Sequence, residues 1–256
     1  MLVHKNTVII FTCATIFLLI VNYIYFVDFF WFLFLAFLFL TVEFYGAYFV
    51  QSGFHIKTFN SVETSEKVVA ITFDDGPNQK TQKVLEVLDK YNVKATFFCI
   101  GKNIKGNESI IQQIQAKGHI IGNHSYSHSN FFDFNTTKQM VEDLTLANNA
   151  IKNITGDAPV YFRPPYGVTT PSLARACEQL NLKVIGWNIR SLDTVIKEKN
   201  KVVERVTKKI KPGSVILLHD SVEDSEKITE DIICYLNEHN YKILPLNKLF
   251  EIKNNA

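Results

Sequence analysis

Residues 68–77 read Val-Val-Ala-Ile-Thr-Phe-Asp-Asp-Gly-Pro. The first part of this stretch is apolar and β-branched, which suits a strand buried on both faces, and Asp-Gly-Pro is the turn chemistry that ends one. Two adjacent carboxylates where a strand stops point in different directions. One can hold a cation while the other takes a proton from the water that cation activates. An ordinary turn uses the same residue types, so this segment alone leaves both readings open.

Downstream, apolar runs rich in β-branched and aromatic residues recur at 95–100, 119–123, 161–163, 183–189, 214–219 and 242–246, which with 68–73 predicts seven strands. Between them, 81–91, 108–118, 137–156, 171–181, 201–210 and 227–239 carry apolar side chains at three- and four-residue spacing, with Gly118 and Gly156 as C-terminal stops. Alternating strands and helices predict a parallel sheet, either open or closed. The position of the chemistry selects the closed form. Every suggestive group falls at the C-terminal end of a predicted strand, which is where parallel α/β barrels build their sites. The fold expected is therefore α/β, a distorted (β/α) barrel of about seven repeats.

Upstream lies a chemically different region. Lys5, Asp28 and Glu43 are the only formal charges in the first fifty residues, and 7–27 and 29–50 are apolar runs of the length a helix needs to cross a hydrocarbon core about 30 Å thick. Asp28 is costly at a bilayer centre and suits a tight turn between two spans. A single long signal anchor is the alternative. A cleavable signal peptide fits less well, because the apolar stretch is too long and no small-residue cleavage site precedes the return of charge. The organisation expected is a membrane anchor over 1–50, a polar linker over 51–66 and a catalytic domain over 67–256. The few basic residues, Lys5 and Lys57, place the domain in the cytoplasm by the positive-inside rule, whereas the glycan substrate inferred below favours the extracytoplasmic side.

The chain has 256 residues and a formal net charge of +2, which leaves no basic footprint of the kind nucleic-acid binding demands. Cys13, Cys99, Cys177 and Cys234 show no CxxC spacing and read as free thiols.

Three further clusters carry chemistry. His124 and His128, in His-Ser-Tyr-Ser-His, are four residues apart, so a helical turn would put both imidazoles on one face; two solvated histidines in a loop are the bland reading. Asp75 as a third ligand completes a two-histidine, one-carboxylate set with an open position for water. Arg163, in Arg-Pro-Pro-Tyr-Gly, offers a rigid fork that could pair with Asp74, or it caps a stiff surface turn. His219, in Leu-Leu-His-Asp, could protonate a leaving nitrogen, with a nearby carboxylate keeping it charged, although a lone histidine at a strand end is more often structural.

Thr-Phe-Asp-Asp-Gly-Pro, His-Ser-Tyr-Ser-His, Arg-Pro-Pro-Tyr-Gly and Leu-Leu-His-Asp, in this order and spacing, resemble the motifs of the polysaccharide deacetylase family, also called the NodB homology domain or carbohydrate esterase family 4. The resemblance covers about residues 66–250. It implies metal-dependent hydrolysis of N-acetyl groups on an N-acetylhexosamine-containing glycan such as peptidoglycan, chitin or an exopolysaccharide. It implies one divalent ion, zinc first with cobalt, nickel, iron or manganese as alternatives, held by Asp75, His124 and His128. It further implies Asp74 as general base, Arg163 as its orienting partner, the Tyr166 backbone N–H as an oxyanion donor, His219 as general acid and Leu217 as lining of the acetyl pocket. One motif departs from the family pattern: Arg190 and Thr194 replace the usual Asp and Trp of Asp-x-x-Asp-Trp, while Asp193 matches the second Asp and can still tune His219. Trp187 is a candidate for the missing aromatic wall. Competing readings are an O-acetyl esterase, a deformylase or deacetylase of lipid-linked sugars, and a catalytically silent membrane-tethered glycan binder.

Overall fold

The structure is a computed structural model and describes residues 3–252. It opens with two helices, α1 (His4–Ile24) and α2 (Phe29–Tyr48), each about 30 Å long and both long and apolar enough to cross a membrane. Asp28 caps α2, its carboxylate accepting the Phe30 amide at 2.8 Å, and the Asn22 side chain accepts the Val27 amide at 3.0 Å. Polar side chains on either side of the turn thus satisfy the amides of Val27 and of the first turn of α2.

The remainder alternates strands and helices: β1 (Thr58–Phe59), β2 (Val68–Asp74), α3 (Gln79–Lys90), β3 (Thr96–Cys99), α4 (Gly101–Ile104), α5 (Glu108–Ala116), β4 (Ile120–Asn123), α6 (Thr137–Thr155), β5 (Tyr161–Phe162), α7 (Pro171–Gln179), β6 (Lys183–Ile185), β7 (Ile189–Arg190), α8 (Lys199–Thr207), β8 (Ser214–His219), α9 (Ser225–Glu238), β9 (Lys242–Ile243) and α10 (Leu246–Glu251). The strands pair in parallel in the order β1-β6-β5-β4-β3-β2-β8-β7, with β9 beside the start of β2. This is a curled parallel sheet clad by helices, a barrel left open at one seam.

Three segments differ from expectation. The run 183–189 is not one strand. Its first part, β6, lies beside β5, but β7 lies beside β8 at the other end of the path, so residues 186–188 cross the seam. Asn188 makes that crossing, its amide donating to Val215 O at 3.3 Å and its side-chain oxygen accepting the Val215 amide at 2.9 Å. The stretch 51–66, expected as a linker, is stitched to the domain through β1, which pairs with β6, and through a bridge from Ser61 to Ser214. Finally, 242–246 holds only a two-residue strand, because Pro245 cannot donate to a ladder and instead starts α10.

Every residue of β2 is buried, and strand alternation divides them. Val69, Ile71 and Phe73 pack with Val84, Leu85 and Leu88 of α3 and with Ile232, Ile233 and Leu236 of α9. Each such side chain contributes about 1.5–3 kcal/mol through burial. Val68 and Ala70 pack on the other face with Phe98, Trp187 and Leu217. The same alternation carries Thr72 and Asp74 to that inner face, at the end of the strand where the site forms.

Candidate active site

Arg163 is the largest fully buried side chain among the described residues, and its surroundings account for its charge. Its Nη1 donates to Asp74 Oδ1 at 2.8 Å and to Thr72 Oγ1 at 2.7 Å; Nε donates to Ile185 O at 3.2 Å and Nη2 to Gly186 O at 2.9 Å. Its guanidinium carbon stands 4.2 Å from the centre of the Phe98 ring. A planar fork can meet these four acceptors together, whereas an ammonium cannot. Thr72 lies two residues before Asp74 on one strand face, so strand period could have flagged it.

Register explains how distant residues converge. Asn123 of β4 is opposite Phe162 of β5, so His124 and Arg163 leave the sheet at the same level. His124 Nδ1 lies 2.7 Å from Arg163 O; a carbonyl only accepts, so Nδ1 carries the proton and the Nε2 lone pair faces the site. His124 Nε2 is 3.6 Å from Asp75 Oδ1, and His128 Nε2 is 3.5 Å from the same oxygen.

The pair His124 and His128 does not sit on a helical turn. Residues 124–128 form a loop with positive φ at Ser125 (61°) and His128 (44°), and side chains hold it in place of a helix. Asn123 Oδ1 accepts the Ser125 amide at 2.7 Å, and Ser125 Oγ accepts the His128 amide at 3.0 Å. Asp143 of α6 accepts the amides of Tyr126 and Ser127 at 2.7 and 3.1 Å. No motif spacing points to Asp143; only the packing of α6 brings it to the loop.

One ligand atom from each of Asp75, His124 and His128 lies within 4.8 Å of the others. Ligands about 2.1 Å from a tetrahedral ion stand ~3.4 Å apart, close to the separations from Asp75, which exceed a good hydrogen bond. The donor set therefore fits a divalent cation. Burial pushes the Asp75 carboxyl up, but the imidazoles of His124, His219 and His128 around it hold it down at about 2. Burial, with the His124 ring close by, pulls His128 below its ordinary value.

His219 ends β8 directly opposite Asp74. Its Nδ1 lies 2.7 Å from Asp193 Oδ1, and its amide donates to Asp193 Oδ2 at 2.8 Å. Burial alone would lower the pKa of His219; the Asp193 hydrogen bond and charge, aided by Asp74 and Asp75, raise it to about 9. An imidazolium beside a carboxylate is arranged to move protons.

Comparison with known proteins bears on this geometry directly. A family model for polysaccharide deacetylase matches residues 61–185. PdaA of Bacillus subtilis, a peptidoglycan-N-acetylmuramic acid deacetylase, is 32% identical over 191 residues, covering 73% of this chain and 72% of PdaA. The chain belongs to the polysaccharide deacetylase family. PdaC of the same organism is 31% identical over 194 residues, but the match spans 75% of this chain and only 41% of PdaC. The solved PdaC structure superposes with a TM-score of 0.70 at 31% identity, covering 76% of this chain and 95% of that one. A carbohydrate esterase family 4 pseudoenzyme from Bacillus anthracis superposes equally well, with a TM-score of 0.70 at 26% identity, covering 75% of this chain and 68% of that one. Fold alone therefore does not decide activity within this family; the side chains do.

Around the site of this deacetylase-family chain, Tyr166 adopts a positive φ of 57° and donates its hydroxyl to Asn130 Oδ1 at 2.8 Å, its ring 5.0 Å from that of His128. The next residue must be glycine: its φ is 74°, and a Cβ there would lie 2.4 Å from the Trp187 ring. Trp187 and Leu217 are buried in one cluster. Arg190 and Thr194 are exposed, with the Arg190 guanidinium 5.8 Å from the Trp187 ring. Asp220 is fully buried behind Gly76, its Oδ2 accepting from Thr81 Oγ1 at 2.7 Å, and burial pushes its carboxyl up to about 7. The raised carboxyl of Asp220 and the Asp143 brace become visible only in three dimensions.

Proposed function

We propose that the chain is a membrane-anchored, metal-dependent hydrolase that removes N-acetyl groups from an N-acetylhexosamine glycan, peptidoglycan first among them. The observation that carries this reading is the convergence of Asp75, His124 and His128 beside the Asp74–Arg163 pair. A divalent cation held by those three residues, zinc before cobalt, nickel, iron or manganese, would supply Lewis-acid polarisation and a more acidic water at neutral pH.

The chain's own groups do the rest. Asp74, oriented by Arg163, takes a proton from the attacking water. The water oxygen bonds to the acetamide carbon, and the Tyr166 backbone N–H stabilises the developing oxyanion; one such donor is typically worth ~3 kcal/mol. His219, charged through Asp193, gives a proton to the nitrogen as the C–N bond breaks. Acetate and a free amino sugar result. Trp187 and Leu217 are assigned to the acetyl pocket, with Trp187 standing in for the tryptophan that Thr194 replaces.

In this reading the two apolar helices anchor the domain as a two-span hairpin, and the substrate class favours the extracytoplasmic face. A reporter fused at the C-terminus and active only outside the cytoplasm tests the side. A second reading, a deacylase of lipid-linked sugars, is favoured by one contact: the loop after Tyr166 touches the end of α2, the Thr169 amide donating to Ala47 O at 3.0 Å. Acetate release from N-acetylglucosamine oligomers, peptidoglycan and lipid-linked amino sugars separates the two. The metal role predicts loss of turnover in Asp75→Ala and on chelation, with recovery of the chelated wild type on adding zinc. Unchanged turnover in both would overturn it.

A further inference from the structure

Where α1 begins and α2 nears its end, a second group of ligand-bearing side chains meets. His4 comes from the first turn of α1, Glu43 from α2 and His55 from the loop that follows, and one ligand atom of each lies within 4.8 Å of the others. His4 Nδ1 stands 2.9 and 3.1 Å from the two Glu43 oxygens, and His55 Nε2 stands 3.8 Å from Glu43 Oε2.

The decisive side chain is His55. It is 2% exposed, its Nδ1 has no hydrogen-bond partner among the described residues, and its Nε2 is beyond hydrogen-bond reach of the carboxylate it faces. A buried polar atom left unpaired is costly, and here it points to a missing partner. Glu43 is equally out of place as the lone formal charge within a long apolar helix, where carboxylates are rare without compensation.

Packing holds these donors together independently of any ion. The His4 amide donates to Phe54 O at 3.0 Å, and the Phe54 ring lies over Gly46, where a Cβ would sit 2.1 Å from it. A cleft of about 890 Å³, bordered by Lys5, Gln51, Lys57 and Asn60, opens beside His4 and His55 and gives solutes access.

We propose that His4, Glu43 and His55 form a second divalent-cation site, separate from the active site, that clasps the open end of the helical pair to the segment leading into the domain. Two imidazoles and one carboxylate suit zinc and leave a fourth position for water. The site uses no residue of the deacetylase machinery, so it stands whether or not that reading holds.

The test uses the full chain in detergent, stripped of metal and titrated with zinc alone, with bound zinc counted by elemental analysis after desalting. Two zinc ions per wild-type chain are expected, and one in Asp75→Asn/His128→Ala. That variant retains every residue of the proposed clasp, so its remaining zinc reports on the clasp even if clasp variants fold poorly. Zinc is expected to raise its melting temperature, and adding His55→Gln is expected to abolish both the binding and the rise. No zinc in Asp75→Asn/His128→Ala, or the same zinc content after His55→Gln is added, would overturn the proposal.

Discussion

Replacing Asp193 by Asn removes the charge beside His219 while keeping an oxygen in the same place to accept from the ring. The wild-type His219 is raised from 6.5 to about 9 against the pull of burial, a preference for the imidazolium of roughly 3 kcal/mol at 1.36 kcal/mol per unit. Asp193 makes the largest upward contribution, through the 2.7 Å contact to Nδ1. Without its charge, burial is opposed only by the more distant Asp74 and Asp75, and the ring should fall back most of the way toward its ordinary value, lower by about two units. The assay is kcat/KM against pH, from 5 to 10, on N-acetylglucosamine oligomers. In the wild type the proton donor is present below about 9 and lost above it; in the variant the alkaline limb should move down by roughly two units while the acid limb stays in place. The same shift makes a stability claim. Because the folded pKa is raised, the stabilisation is fully present below 6.5 and lost as pH rises through about 9, so the gap between wild type and variant in urea melts should narrow from pH 6 to pH 10. An alkaline limb that does not move would refute the assignment of His219 as the acid tuned by Asp193.

Arg163→Gln leaves the buried Asp74 carboxylate without its cation and should cost about 3–5 kcal/mol in urea unfolding, and a loss under about 1 kcal/mol would mean the pair is not closed in solution. Asp143→Ala frees the Tyr126 and Ser127 amides that position the histidine loop; zinc affinity at the active site, measured by chelator competition, should fall about 10–100-fold, and an unchanged affinity would deny the loop its bracing role. Asp220 is buried with its carboxyl raised to about 7, so the wild type should lose stability as pH rises through about 7, by an amount on the order of a few kcal/mol. Asp220→Asn should flatten that fall between pH 5 and pH 8 in denaturant melts, and parallel curves would show that Asp220 ionises at no cost.

The strands that carry chemistry are legible because a doubly buried parallel strand is a short apolar run, and turn residues mark where it stops. That suffices to put Asp74, Asp75, His124, Arg163 and His219 at one end of the sheet, whereas charge makes Asp74 one partner open to Arg163 without excluding a surface turn. The break in 183–189 is hidden because Lys-Val-Ile-Gly-Trp-Asn-Ile has strand composition throughout; only tertiary structure sends its two halves to opposite sides of the sheet's open seam. The two-residue β1 is too short for any period to register. The HxxxH spacing suggests a helix, yet Ser125 and His128 take positive φ because Asn123 and Asp143 supply the partners a helix would otherwise provide. Asp143 and Asp220 act through contacts with residues far away in sequence, and local pattern carries no trace of them.

The seam crossed by residues 186–188 has a mechanical consequence. Gly186 O receives Arg163, while the neighbouring Trp187 O receives the Gln51 side chain at 2.9 Å, and Val50 is buried in the cluster that holds Ile185, Trp187 and Leu217. The segment that leaves the apolar helices is therefore packed into the hydrolytic head, with no free tether between the two. If those helices enter a bilayer, a head docked this closely would keep its mouth near the membrane surface. Trimming the chain at about residue 60 to obtain a soluble fragment would remove Val50 and Gln51, and with them two supports of residues 185–187, whose backbone helps to hold Arg163.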